Sequence, residues 1–324
     1  MDRLYPVGIQ SFEDLRKRDY VYVDKTALIY QLVSTGKYYF LSRPRRFGKS
    51  LLISTLEAYF SGKRELFSGL EMEKLEKEWI NYPVLHIDLN TEKYSTKEAL
   101  ENKLDLSLKQ FEEKYGGNPD EYSLATRFEG VIRRAAEKTG HNTVILIDEY
   151  DKPMLQAIGN PELQTEYRNT LKALYGALKS CDAHIRFAML TGVTKFGKVS
   201  VFSDLNNLMD ISMDNRYSEI CGISELELHK YFDDDIYILA DKLSISYDEA
   251  CRRLKVNYDG YHFCQESSGM YNPFSLLNTF AKKQIGSYWF ETGTPSYLVE
   301  LMKLHNYNVE EIEDIVTSGP VLDS

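Results

Sequence analysis

Cysteine is scarce in this chain, and the spacing of the few that occur suits no cross-link. Cys181, Cys221, Cys251 and Cys264 lie far apart with no C-x-x-C. That argues against a zinc or disulfide framework and predicts reduced thiols in the cytoplasm. The opening Met1-Asp2-Arg3-Leu4 carries no apolar leader, and no apolar run is long enough to cross a bilayer, so no membrane partner is expected. Positive charge is also short: 39 Lys and Arg against 49 Asp and Glu leave a net charge of −10. This balance argues against a surface given over to nucleic acid, although a local basic patch survives it. Arg133-Arg134 and Arg252-Arg253 read as solvated helix faces. There is no internal repeat and no low-complexity segment. What is present is a chain of 324 residues, 43% hydrophobic and 27% charged, enough for one large α/β core and a smaller lobe.

Within that core the most informative stretch is Ser42-Arg43-Pro44-Arg45-Arg46-Phe47-Gly48-Lys49-Ser50. It matches the phosphate loop G-x-x-x-x-G-K-[ST], or Walker A, with Arg43 in place of the first glycine. A triphosphate needs a row of backbone N–H groups, a helix N-terminus and a mobile cation, and this pattern supplies all three. Tyr38-Tyr39-Phe40-Leu41 reads as the entering strand. Leu51, Leu52, Leu56, Tyr59 and Phe60 recur at helical spacing after it, with Gly62 as a stop. Gly48 lets the backbone approach the phosphates, Lys49 reaches the β- and γ-phosphates, and the Ser50 hydroxyl sits on Mg²⁺. If the first position requires a positive φ, Arg43 is strained there.

A second signal lies downstream. Thr143-Val144-Ile145-Leu146-Ile147 is an uncharged run ending in Asp148-Glu149, the pattern of a parallel strand buried on both faces. Asp148 is placed to hold Mg²⁺ through a water or through Ser50, and Glu149 to orient or deprotonate an attacking water, as in a Walker B strand. Asp151 reads either as a third acid of the site or as a surface acid before Pro153.

These residues resemble the AAA-ATPase-like family, a bacterial group of P-loop ATPases. The resemblance rests on Tyr22-Val23-Asp24-Lys25-Thr26, on Arg43 to Leu52, and on Leu146-Ile147-Asp148-Glu149-Tyr150-Asp151. Leu190-Thr191-Gly192-Val193, Tyr258-Asp259-Gly260-Tyr261-His262-Phe263 and Tyr271-Asn272-Pro273-Phe274-Ser275 extend it from about Gly8 to about Leu301. An arginine in place of the first glycine is a habit of the group. The resemblance implies a P-loop NTPase sheet, ATP with Mg²⁺, and a helical lid. It also implies a sensor role for Thr191, which would touch the γ-phosphate or the attacking water. Members usually continue into a half that resembles a PD-(D/E)XK nuclease. None is read before Ser324, which leaves a shortened chain or one that works without that half.

The remaining pattern predicts an α/β fold, a parallel sheet flanked by helices over 1–211, followed by a helical lobe over 212–324 for which a winged-helix-like form is the alternative. Asp24 caps a helix closing at Gly36, and Val84 to Leu89 is a second strand. Ser95 with Glu98 predicts a capping box, as do Ser224 with Glu227 and Ser246 with Glu249. Another helix ends at Gly140, Pro161 opens a long one, and Ile185 to Leu190 is a strand. Gly260 supplies a turn, and His262 reads as a packed residue among aromatics.

The expected function is Mg-dependent ATP hydrolysis that drives or gates a conformational change. Glu149, Lys49 and Thr191 are the catalytic set, Arg45 to Leu51 bind the cofactor, and Ser50 and Asp148 hold the metal. Arg45 and Arg46 serve either the triphosphate or a neighbouring subunit, which leaves a homo-oligomer open. Two rival readings are a nucleotide-dependent interaction module with little turnover and an accessory ATPase whose partner is nucleic acid or another protein.

Overall fold

Four short apolar runs set the sheet: Tyr38–Ser42 (β1), Val84–Asp88 (β2), Thr143–Asp148 (β3) and Ile185–Gly192 (β4). In the computed structural model they are joined by a two-residue strand, Met209–Asp210 (β5), in the order β2-β3-β4-β1-β5. Every pairing is parallel. The structure describes residues 3–195, 207–264 and 267–288.

Side chains alternate across a strand, so a strand buried on both faces feeds two cores. Tyr38 and Phe40 of β1 and Ile145 and Ile147 of β3 enter one core. Their neighbours Tyr39, Leu41, Val144 and Leu146 enter the other. The first core is closed by helices Lys97–Tyr115 (α5), Leu124–Thr139 (α6), Lys152–Gln156 (α7) and Pro161–Ser180 (α8). The second is closed by Phe12–Lys17 (α1), Thr26–Thr35 (α2), Lys49–Phe60 (α3) and Glu71–Leu75 (α4). The result is a three-layer α/β/α arrangement.

After β5 the chain builds a third cluster from Glu225–Leu243 (α9), Tyr247–Tyr258 (α10) and Pro273–Lys282 (α11). An antiparallel pair, Ile223–Ser224 (β6) with Met270–Tyr271 (β7), completes it. Ion pairs and hydrogen bonds tie this segment to the N-terminal part, among them Lys25 with Glu227 at 2.5 Å and Arg3 and Tyr5 with Asp235. Residues 289–324 of the predicted lobe, and the resemblance between 289 and Leu301, lie outside the described residues.

Several local expectations are corrected. The cap of α5 is Thr96, with no side-chain cap bond, rather than Ser95 with Glu98. Tyr94 is buried and its hydroxyl donates to the Leu89 carbonyl at 2.9 Å, which holds the preceding turn and moves the helix start past Ser95. Ser246 accepts from the Glu249 N–H at 3.2 Å, but the Glu249 carboxylate goes to Arg252 and Arg253, so half of that box is missing. At Ser224 and Glu227 both halves are present. His262 is exposed, its Nδ1 3.0 Å from the Ser267 carbonyl oxygen, instead of packed. The aromatics beside it turn toward the phosphate loop and leave the imidazole outside. Strand β5 was not foreseen, because two residues are too few to carry a periodicity.

Candidate functional site

In parallel sheets, ligands sit beyond the carboxyl ends of the strands. Here those ends bring β1, β4 and β3 side by side. Leu41 pairs with Thr191 and Ile147 with Leu190, so Thr191 stands level between the loop after β1 and Asp148 at the end of β3.

The loop after β1 turns later than its motif suggests. The Arg43 N–H still donates to the Gly192 carbonyl at 3.1 Å, as an extension of the sheet. Positive φ falls on Arg46, at 69°, and on Gly48, at 94°. The condition for strain at Arg43 is therefore not met: its φ is not positive, and the bond to Gly192 keeps it in line with the sheet. Gly48 opens α3, and a Cβ placed there would meet nothing within 4 Å. Its glycine is required by backbone angle alone.

The Arg43 side chain leaves the cleft altogether. It is 1% exposed and donates to the carbonyls of Ser212 at 2.7 Å, Ser42 at 3.0 Å and Tyr217 at 3.2 Å. Its guanidinium lies 3.9 Å from the centre of the Phe263 ring. Burial lowers its pKa to about 10, which leaves it a cation at neutral pH. Phe47 is buried in the same region, edge-on to Tyr261 and Phe263, with centroids 4.6 and 5.4 Å away. Its carbonyl accepts from the Gly222 N–H at 3.2 Å. Of the predicted cofactor-binding set, Phe47 therefore offers a ligand only its backbone.

A cleft of about 880 Å³ opens above the loop. Arg45, Arg46, Gly48, Lys49, Ser50 and Leu51 line it from one side, and Glu149 faces them. Asp148 and Thr191 lie beneath its floor, 4% and 0% exposed, with the Thr191 hydroxyl donating to Asp148 Oδ1. The Lys49 ammonium is 3.4 Å from Glu149 Oε1 and donates to the Arg43 carbonyl at 3.1 Å. Glu149 is left-handed, φ 56°, a conformation that costs a non-glycine residue about 1–2 kcal/mol. Its N–H donates to Asp148 Oδ1 at 3.1 Å, so one carboxylate turns its neighbour toward the lysine.

Three features escaped the sequence. Asp151 is neither a cleft acid nor a surface acid but fully buried. Lys152 reaches across to the Asn90 carbonyl at 2.7 Å and joins the cleft wall. Residues Pro6 to Gln10 also line the cleft, as do Pro273 and Phe274 of α11. Only the acidic character of Asp151 was visible beforehand; the other two come from distant segments meeting.

The donor set suits a polyanion with a hard cation. Lys49, Arg45 and Arg46 sit near a helix N-terminus, and Ser50 and Asp148 carry oxygens of the kind Mg²⁺ takes. Among the described residues no three His, Cys, Asp or Glu side chains converge as a metal cage of their own. Mg²⁺ typically fits such a place, since it keeps waters and shares phosphate oxygens. No helix among the described residues is long and apolar enough to cross a membrane.

An uncharacterized protein encoded in the vnfD 5′ region of Azotobacter chroococcum mcd 1 is 40% identical over 320 residues, 98% of this chain. The chain spans about 60% of that relative's length. A family model described as predicted AAA-ATPase matches residues 6–202, which include the phosphate loop, the acidic strand and Thr191. The chain belongs to the predicted AAA-ATPase family.

Proposed function

We propose that the chain binds Mg-ATP in the cleft above α3 and hydrolyses it, with residues 1–211 as the ATPase domain and 212–324 as a lid. The observation that carries this reading is the meeting of Lys49 and Glu149 at 3.4 Å, from two separate motifs, at the mouth of one cleft. Lys49 would move from Glu149 and the loop carbonyls onto the terminal phosphates, a stronger charge-assisted partner. That movement would release Glu149 to orient the attacking water. Ser50 and Asp148 would hold Mg²⁺, which neutralises phosphate charge when bound, and Thr191 would fix the Asp148 carboxylate. Catalysis of this kind is positioning and charge neutralisation. The free cysteines support a reducing compartment, the cytoplasm.

A second reading has its own support: the loop is packed against the C-terminal segment. Besides Arg43 and Phe47, the Arg46 guanidinium lies 4.8 Å from the Phe274 ring centre. A nucleotide that reshapes the loop would move those contacts, so signalling through the lid accompanies hydrolysis or replaces it.

Lys49→Ala separates the phosphate-loop assignment from a merely structural lysine. Its affinity for Mg-ATP, followed by equilibrium titration, should fall by about tenfold or more, the loss of one charge-assisted contact. Its melting curve should keep a single folded transition. Unchanged affinity would sink the assignment. Phosphate release by the parent with and without Mg²⁺ then decides between hydrolysis and signalling.

A further inference from the structure

We propose that Asp151 is a positioning residue of this ATP site: it holds the exit of β4 so that Thr191 stays seated on Asp148. The proposal rests on the nucleotide-binding reading above.

Asp151 is completely buried, yet it lies just past the acid pair and points away from the cleft, toward the residues that follow Thr191. Its two oxygens accept from the Val193 N–H at 3.1 and 3.2 Å. Oδ2 also accepts from the Thr194 N–H at 2.8 Å and the Thr194 hydroxyl at 2.9 Å. A buried carboxylate costs several kcal/mol unless such donors surround it, so this one is tied to the strand exit.

The rest of the turn closes from the other side. The Tyr150 N–H donates to the Thr191 carbonyl at 2.9 Å, and the Tyr150 hydroxyl to the Thr194 carbonyl at 3.1 Å. Between them Gly192 has no room: a Cβ there would stand 2.5 Å from Tyr150 and 2.8 Å from Asp151 Oδ1. The segment from Thr191 to Thr194 is thus gripped by two successive residues of the acidic strand's own turn. Thr191 begins that segment and is bonded to Asp148. Asp148 in turn accepts the Glu149 N–H. One hydrogen-bonded path therefore runs from Asp151, through the strand exit, to both acids of the site.

An alternative role, Asp151 as a second base or metal ligand, is disfavoured by the same geometry. Its oxygens are occupied by donors from 193 and 194, and it does not line the cleft. Burial, and then its like-charged neighbour Glu149, raise its pKa to about 6, so at neutral pH it is the anion those donors require.

The test compares Asp151→Asn with the parent. The amide keeps the shape but cannot accept at its nitrogen, so part of the grip on Val193 and Thr194 is lost. Two quantities are read: the ratio of affinities for a non-hydrolysable Mg-ATP analogue and for Mg-ADP, and the split of turnover between kcat and KM. Asp151→Asn should lower the analogue-to-ADP ratio at least fivefold and kcat at least tenfold, with the affinity for Mg-ADP within threefold and KM rising no further than the affinity for the analogue falls. A merely structural acid would shift both affinities together or neither. An unchanged ratio with unchanged kcat overturns the proposal. If Asp151→Asn does not fold, Thr194→Val, which removes one donor only, takes its place: a lowered ratio supports the proposal and an unchanged one overturns it. A parent that binds neither nucleotide defeats the underlying reading and the proposal with it. A parent that binds the analogue without turning ATP over defeats hydrolysis alone, because the affinity ratio still reports on Asp151.

Discussion

The two motif-bearing strand ends, that of β1 and that of β3, stand one strand apart and are secured in opposite ways. The β1 end is tied outward. Arg43 and Phe47 leave the sheet and bury themselves against Ser212, Tyr217, Tyr261 and Phe263 of the C-terminal segment. The β3 end is tied inward. Asp148 is held by Thr191, and Asp151 by Val193 and Thr194, all from the adjacent strand or its exit. The difference assigns separate dependences. The phosphate loop answers to the C-terminal segment, whereas the acids answer to the sheet.

The sharpest way to test that division is at Glu149. Glu149→Gln keeps the left-handed turn and the wall of the cleft but removes the charge that would activate water. ATP hydrolysis should fall by about 10²–10⁴-fold, the usual share of a positioned base. Mg-ATP affinity should hold or rise, since Lys49 loses a competing partner. Phosphate-release assays beside equilibrium titration read both, and turnover equal to the parent's would remove Glu149 from catalysis.

Arg43→Gly probes the other tether. It should destabilise the fold by about 3 kcal/mol, because several buried carbonyls lose their donor, while Mg-ATP affinity stays within about tenfold. Urea unfolding and nucleotide titration give the two numbers. A large affinity loss at unchanged stability would show Arg43 to be a phosphate ligand and would erase the distinction drawn above.

The smallest effect is a pH dependence. The Asp151 pKa is raised from the ordinary 3.8 to about 6, first by burial and then by Glu149, with Lys49 and the Thr194 donors opposing; Tyr150 and Tyr175 also lie within its field. A raised folded-state pKa means the native state binds the extra proton. Asp151's contribution to stability is therefore fully present below about pH 4 and is lost as pH rises through 6. Against Asp151→Asn, the parent should gain roughly 2 kcal/mol between pH 6 and pH 4. A stability difference between the two that stays flat over this range would contradict a raised Asp151.

The strands, the long helices and the two motifs were legible because each is a local pattern. A run of apolar residues ending in Asp148-Glu149 and a G-K-S between strand and helix need no distant partner to be recognised. The same logic explains the errors. Strain at Arg43 hung on whether the motif's first position needs a positive φ, which residue types alone leave open, since they do not say where the chain begins to turn. His262 looked packed because its neighbours are aromatic, but those rings face the loop. Asp151 read as either a site acid or a surface acid, and it is neither, because adjacency in sequence gives no direction to a side chain.

The sequence by itself therefore determined the α/β class, the sheet's four principal strands and the chemistry gathered at their ends, since periodicity and motif spacing are properties of neighbours along the chain. Only the tertiary structure decided that Lys49 meets Glu149, that Arg43 and Phe47 serve the C-terminal segment, and that Asp151 grips the exit of β4. Those outcomes depend on strand order and burial, which bring together residues that no local rule relates.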